Sequence, residues 1–193
     1  MIPDMTLIEV ERKRELPDSN SLRDRLAELG YRDIGCLNET DVYYSRPDVD
    51  FMETVECLRV RRRNGFAEVT YKPPSGADTH RVGDVIAKQE TNVRLATPEQ
   101  SDAARALLDA LGMVELATVE KARTQYRHPE RDNVVIAVDI VTGAGVFVET
   151  EITAGDRDAA IVDLERIEHE LGIEGYPVVR LPYRDLVMAT VRA

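Results

Sequence analysis

Glu9, Glu11 and Lys13 alternate along the segment Leu7-Ile8-Glu9-Val10-Glu11-Arg12-Lys13. Alternate side chains of a strand share a face, so the two carboxylates and the ammonium point one way while Ile8 and Val10 point the other. Carboxylates about 7 Å apart, with an ammonium next in line, form a half-site for a hard divalent cation bound to phosphate. Taken alone, the pattern also fits the solvated face of an antiparallel sheet. Later segments decide between the two, because several repeat the alternation with complementary charge. Arg59, Arg61 and Arg63 share a face, as do Thr70 and Lys72, then Lys88, Glu90 and Asn92, then Lys121, Arg123 and Gln125. Glu149 and Glu151 form a second Glu-x-Glu, and Asp139 interrupts the apolar run Val134–Val141. A lone acid in such a run is costly unless it is paired or bound to a metal.

Positioning these residues requires strands. Cys57–Arg63 and Phe66–Lys72 flank Asn64-Gly65, the strongest short-range hairpin signal. The run Arg61-Arg62-Arg63 is split by alternation between two faces and makes no basic patch. Tyr31–Ser45, Val85–Leu95, Leu116–His128, Val134–Val141 and Val146–Ile152 read as further strands. Pro17-Asp18-Ser19 opens a helix with Leu22, Leu26 and Leu29 at i, i+4 and i+7, ended by Gly30. Thr97-Pro98 starts a second helix, with Thr97 as N-cap and a core stripe of Ala104, Leu107, Leu108 and Leu111. Asp156 caps a third, carrying Ile161, Leu164, Ile167, Glu168 and Leu171 and ended by Gly172, and Tyr183–Met188 begins a last one. His80 and His169 read as surface residues, and Pro73–Asp78 as a loop. Several strands carry charge on one face and Val, Ile, Leu or Tyr on the other. This predicts an α+β fold: a closed antiparallel β-barrel, or tunnel, of about eight strands with a charged lumen and helices packed outside.

The 193 residues suffice for one sizeable core, and one domain spanning 1–193 is expected. No apolar run approaches membrane-spanning length, so no membrane partner is expected. The N-terminus has neither a basic nor an apolar leader pattern, which leaves the cytoplasm as the expected location. Two cysteines, Cys36 and Cys57, are too few for a thiolate metal site. A net charge of −11 argues against general nucleic-acid binding, which relies on Lys and Arg replacing phosphate counterions. Any anionic ligand must therefore meet a local basic site. The chain favours Arg, with 21 against four Lys, and three of those lysines fall in the candidate lumen. Six acids (Glu9, Glu11, Glu90, Asp139, Glu149, Glu151) and six bases (Lys13, Arg59, Arg61, Lys72, Lys121, Arg123) compose that lumen, with Lys88 two residues from Glu90. Two divalent ions and one nucleoside triphosphate of about four negative charges would leave it close to neutral.

These residues resemble the CYTH or triphosphate tunnel metalloenzyme superfamily, and most closely its class IV adenylyl cyclase branch. Glu9-Val10-Glu11-Arg12-Lys13 is similar to the family's N-terminal Glu-x-Glu-x-Lys signature, and Asp41-Val42-Tyr43-Tyr44 to its Asp-x-Tyr-aromatic segment. Leu58-Arg59-Val60-Arg61 and Thr70-Tyr71-Lys72-Pro73 resemble its basic hairpin, Lys121-Ala122-Arg123 its Lys-x-Arg strand, and Val138-Asp139-Ile140-Val141 its Asp-containing strand. Gly145–Glu151 resembles the second metal-binding strand and Tyr183-Arg184-Asp185-Leu186 the closing motif. Lys88–Asn92 departs from the pattern, since relatives often carry an Arg and a further acid there.

The resemblance implies that Glu9, Glu11, Glu149, Glu151 and Asp139, with Glu90 beside them, hold Mg²⁺ or Mn²⁺. It implies that Lys13, Arg59, Arg61, Lys72, Lys88, Lys121 and Arg123 hold the triphosphate, with Glu9, Glu11, Lys13 and Asp139 central to turnover. The expected reaction is conversion of ATP to cyclic AMP and pyrophosphate, by attack of the ribose 3′-OH on the α-phosphate. The alternatives are a triphosphatase acting on inorganic, nucleoside or thiamine triphosphate, and a non-catalytic nucleotide or polyphosphate binder. Metal-ligand acids at both ends of the chain favour an enzyme. The resemblance also leaves a homodimer open.

Overall fold

The structure is a computed structural model that describes residues 7–74, 86–88 and 90–191. His80 lies outside the described residues, and so does the side chain of Lys88. The element order is β1 (Ile8–Glu15), α1 (Ser19–Glu28), β2 (Arg32–Ser45), β3 (Cys57–Arg63), β4 (Phe66–Lys72), β5 (Ile86–Lys88), β6 (Thr91–Leu95), α2 (Gln100–Ala110), β7 (Val114–His128), β8 (Arg131–Val141), β9 (Gly145–Ala154), α3 (Arg157–Leu171) and α4 (Tyr183–Val191). The strands form one sheet in the order β5-β1-β9-β8-β7-β2-β3-β4-β6, and every neighbouring pair is antiparallel.

The sheet curls strongly. Lys72 on β4 lies 3.7 Å from Glu9 on β1, although five strands separate β4 from β1 in the sheet order. The architecture is thus α+β with a curled antiparallel sheet of nine strands, β5 having only three residues. The ladders of the described residues run from β5 at one end to β6 at the other, a strongly curled half-barrel, and the closure read from the sequence is not among them. The expected strand Val85–Leu95 is likewise two strands, one at each edge. Just before β6 the Glu90 carboxylate accepts from Lys72 and from Asn92.

Strand periodicity explains which face is charged. Val10, Ile136, Val148 and Ile152 pack on the outer face against Leu22 and Leu26 of α1 and Ile161, Leu164, Ile167 and Leu171 of α3. Val42, Tyr44 and Val60 are covered by Ala104 and Leu108 of α2. Arg12 and Arg14 also face outward, where both bond to Glu168, a fully buried carboxylate in the apolar stripe of α3. That stripe residue is a clamp between helix and sheet.

Two expectations for the helices need correction. Leu107 and Leu111 are exposed and do not belong to the core, since α2 turns Ala104 and Leu108, with the buried Ser101, toward the sheet. Its N-cap is Glu99, without a side-chain bond, because Thr97 and Pro98 are spent in the preceding turn. Helix α4 does not pack outside. Its Tyr183, Leu186 and Val187 join Tyr43, Val119, Val141 and Phe147, residues that alternate with the lumen charges, so α4 caps an apolar end of the inner face.

Local signals hold elsewhere. Gly65 adopts φ +92° in the Asn-Gly turn, as a two-residue hairpin requires. Asp18 caps α1 by accepting from the Asn20 and Ser21 amides. Asp18→Ala is expected to lower stability by about 1 kcal/mol. Urea denaturation would read this as a lower midpoint at constant slope, and an unchanged midpoint would show that the cap contributes nothing.

Candidate active site

Register builds the site. β1 and β9 pair Glu11 with Glu151 and Lys13 with Glu149, so carboxylates that would repel stand directly opposite each other. Glu11, Glu149 and Glu151 bring one oxygen each within 4.8 Å of one another. Three converging carboxylates are hard oxygen donors of the kind that bind Mg²⁺ or Mn²⁺, so the residues fit a divalent cation. Glu9 stands two residues up the same strand, with its side chain nearer solvent and beside Lys72.

Facing this wall, β3 and β4 supply Arg59, Arg61 and Lys72, and β7 supplies Lys121 and Arg123. All five, with Glu9, Glu11, Lys13, Glu90, Glu149 and Glu151, line one cavity of about 180 Å³. A water needs only about 10–15 Å³ by the same measure, so the space takes a chain of charged groups rather than a lone ion.

Each base is already engaged. Arg61 makes a bidentate bond to Asp41, with both contacts at 2.6 Å, and approaches Glu39 at 3.4 Å. Arg59 lies 3.6 Å from Asp41, and Lys121 lies 3.2 Å from Glu39. Lys72 holds Glu90 at 2.7 Å. Lys13 donates to the Leu181 carbonyl at 2.6 Å and sits 4.1 Å from the centre of the Tyr183 ring. Arg123 is the most connected. Its Nε and Nη2 grip Asp139 at 2.8 and 2.6 Å, its Nη1 donates to Glu151 at 2.9 Å, and its Nη2 also reaches Glu149.

The electrostatics follow from how this charge is shared. Burial opposes ionisation of Asp41, but Arg61 and Arg59 overcome it and hold the carboxyl well below the usual range. Burial likewise opposes ionisation of Glu149, and Arg123, Lys121 and Lys13 keep it ionised. Glu151 goes the other way. Burial, with Glu149, Glu9 and Glu11 adding repulsion, pushes it up to about 8 against the pull of Arg123. One guanidinium divided among three carboxylates does not keep all of them ionised. Burial and Glu11 also raise Glu9, while burial lowers the ammonium groups of Lys13 and Lys121. Acids pushed up beside one another are what a cluster with too little positive charge should show.

The residues anticipated from the sequence therefore converge, with three distinctions. Asp139 is fully buried behind the cavity wall, bonded by Arg123 and by the Tyr183 hydroxyl at 2.9 Å, with Lys121 at 3.7 Å. Glu90 belongs to Lys72 and Asn92, apart from the three-carboxylate group. The backbone of Lys88 pairs with Glu9 across the β1–β5 ladder. Asp41, which with Glu39 orients the bases, and Tyr183 and Arg184 at the α4 end lie in segments that carry the resemblance but had no expected role, while Glu39 and Glu56 lie in none of them. Glu39 and Asp41 alternate with Tyr43 on one strand face, the same signal that exposed Glu9 and Glu11. Arg184 is buried and donates to the Glu56 carbonyl, a contact 128 positions apart that no local pattern announces.

Comparison with known proteins agrees with this geometry. A protein of Methanocaldococcus jannaschii, named "Putative adenylate cyclase MJ0240", is 30% identical over 183 residues, spanning 93% of this chain and 98% of its own. The PH1819 protein of Pyrococcus horikoshii has a solved structure 30% identical in sequence, with a TM-score of 0.77 over 94% of this chain and 98% of that one. A Hippeastrum protein, described under an adenylyl cyclase name and with a dominant triphosphatase activity, shares the fold at 16% identity, with a TM-score of 0.67 over 94% and 95% of the two chains. The CYTH domain matches residues 7–180, almost the whole length over which the charged strands and their supports are distributed, and the chain belongs to that family.

Proposed function

We propose that the chain acts as one unit that binds a nucleoside triphosphate with Mg²⁺ or Mn²⁺ and converts it, in the manner of a class IV adenylyl cyclase, to a cyclic nucleotide and pyrophosphate. One observation carries the reading: three carboxylates within reach of a common cation share a cavity with seven basic side chains. Arg59, Arg61, Lys72, Lys121 and Arg123 would hold phosphate oxygens, and Lys13 would join them from beside Glu149. Glu11, Glu149 and Glu151, with Glu9 adjacent, would hold the metal, which when bound supplies charge neutralisation and polarisation at phosphorus.

Phosphoryl transfer depends chiefly on positioning and electrostatic stabilisation, which fixed charges in a confined cavity provide. Asp41, Glu39 and Asp139 keep the guanidinium and ammonium groups pointed into the cavity, so little reorganisation is needed when an anion enters. The partner implied is a small triphosphate. Nothing in the acidic composition favours nucleic acid, no helix among the described residues is long and apolar enough to cross a membrane, and the cytoplasm remains the proposed location.

A second reading is a triphosphatase. It is favoured by the cavity lining, whose only aromatic side chains among the described residues are Tyr43 and Tyr183, both buried and both bonded or packed within the charge network. Neither is free to stack on a base. The Hippeastrum protein illustrates that a cyclase name and this fold accompany hydrolysis as well.

Incubation with ATP, inorganic triphosphate or thiamine triphosphate and Mn²⁺, with products separated by chromatography, tests the proposal. Cyclic AMP with pyrophosphate is the expected result. Free phosphate with ADP or diphosphate would replace it by the second reading, and tight binding without turnover would make the chain a sensor. Arg59→Ala is expected to weaken triphosphate binding by at least about tenfold, the worth of one hydrogen bond to a charged group, while leaving Mn²⁺ binding intact. Titration calorimetry with each ligand would check this, and unchanged triphosphate affinity would remove Arg59 from the cradle.

A further inference from the structure

We infer that Arg123 is the resident counter-cation of the metal-binding acids, so that a divalent ion must displace it and an incoming triphosphate receives it. The inference rests on the reading of Glu11, Glu149 and Glu151 as metal ligands. Arg123 stands on β7 directly opposite Asp139 of β8, and Glu149 stands on β9 opposite Ala137 of β8. The guanidinium therefore spans β8 over Ala137, whose methyl leaves room for it. One edge of its fork is fixed on Asp139, while Nη1 and Nη2 extend to Glu151 and Glu149. Those two carboxylates belong to the group of three whose oxygens converge. Among the described residues no other base in the cavity makes a hydrogen bond or ion pair with either; Lys13, opposite Glu149 in the ladder, donates to the Leu181 carbonyl. Lys121 serves Glu39 and Asp139, Arg59 and Arg61 serve Asp41, and Lys72 serves Glu9 and Glu90.

A cation entering among the three acids would meet a fixed positive charge in contact with two of its ligands. The N–H groups it displaces remain tethered through Asp139 and directed into the cavity, where phosphate oxygens can accept from them. An anion thus relieves the repulsion that the metal creates. Metal and triphosphate binding are coupled through one side chain, and the coupling is reciprocal.

The direct test is the affinity of Mn²⁺ alone, measured by electron paramagnetic resonance of the free ion, for wild type, Arg123→Gln and Lys121→Gln. The Lys121 variant removes the same charge from the same cavity, acting on Glu149 through space but breaking no bond to Glu149 or Glu151. Arg123→Gln is expected to tighten Mn²⁺ binding by about tenfold, and Lys121→Gln by no more than about threefold. With imidotriphosphate present, the wild-type gain in Mn²⁺ affinity should exceed that of Arg123→Gln, because the variant has already lost the repulsion. Equal tightening by both variants, or weaker Mn²⁺ binding by Arg123→Gln, would overturn the inference while leaving the metal site standing. Failure of wild type and of both variants to bind Mn²⁺ would instead overturn the metal site and the inference with it. If Arg123→Gln does not fold, Arg123→Lys serves. It keeps the charge but has no fork to span Asp139 and both glutamates, and Mn²⁺ binding tighter than wild type is again the expected result. No tightening there would count against the inference.

Discussion

Glu151→Gln is expected to lose metal-dependent turnover by roughly 10²- to 10³-fold while its metal-free form folds as well as wild type at neutral pH. The two halves have one cause. Burial and the neighbouring acids push Glu151 up to about 8, so at pH 7 the resting carboxyl is largely protonated, and a neutral amide of the same shape replaces it at little cost. A divalent cation, by contrast, needs the carboxylate. The sign of the pH dependence follows. Between about 4.5, the ordinary value, and 8 the folded protein holds a proton that the unfolded chain has released. Stability contributed by this group is therefore complete below the lower value and is lost as pH rises through the upper one, by up to a few kcal/mol. Glu151→Gln should flatten that decline. Thermal melts without metal from pH 5 to 9 would show it, and parallel slopes for the two proteins would mean that Glu151 ionises normally.

Asp139→Ala should do the opposite, damaging the fold more than the metal site. The carboxylate is fully buried, receives both arms of Arg123 and the Tyr183 hydroxyl, and lies near Lys121. Removing it leaves buried positive charge without its partner, a change that costs about 3–5 kcal/mol in comparable settings. Chemical denaturation should register that loss, with Mn²⁺ affinity moving less than about tenfold, less than the effect of changing Glu11 or Glu151. Normal stability together with lost Mn²⁺ binding would instead make Asp139 a metal ligand. Tyr183→Phe offers a milder comparison, since it deletes only the hydroxyl and keeps the ring beside Lys13 and Lys121.

The charged face of the sheet was legible because strand period is two and the charges keep it. Glu9, Glu11, Lys13, Arg59, Arg61, Lys72, Lys121, Arg123, Glu149 and Glu151 all alternate with apolar or outward neighbours, and all line the cavity. Alternation identifies a face but not which strands meet. The separation of the proposed metal ligands from supports, such as Asp139 behind Arg123, depends on cross-strand register and on depth behind the wall. Lys88, Glu90 and Asn92 keep one alternation while 86–88 pairs with β1 and Thr91–Leu95 with β4, a difference of partner that alternation does not carry. Leu107 and Leu111 have the spacing of a buried stripe, yet α2 touches the sheet along a narrower line. Tyr183 and Arg184 act at the cavity because α4 enters from the end of the chain, and helical periodicity is silent about destination.

The pairing of β1 has a consequence for how the protein comes to exist. Strand β1 lies between β9 and β5, and its longest ladder joins Ile8 to Ala154. Glu11 thus leaves the ribosome well over a hundred residues before Glu149 and Glu151, and a nascent chain ending before β9 holds only one of the three converging carboxylates. Ladders so distant in sequence are slow to form and depend on late segments. A chain stalled or cleaved before β9 would carry an unpaired β1 and no cation site, so competence to bind metal would report that synthesis had gone far enough to complete the sheet.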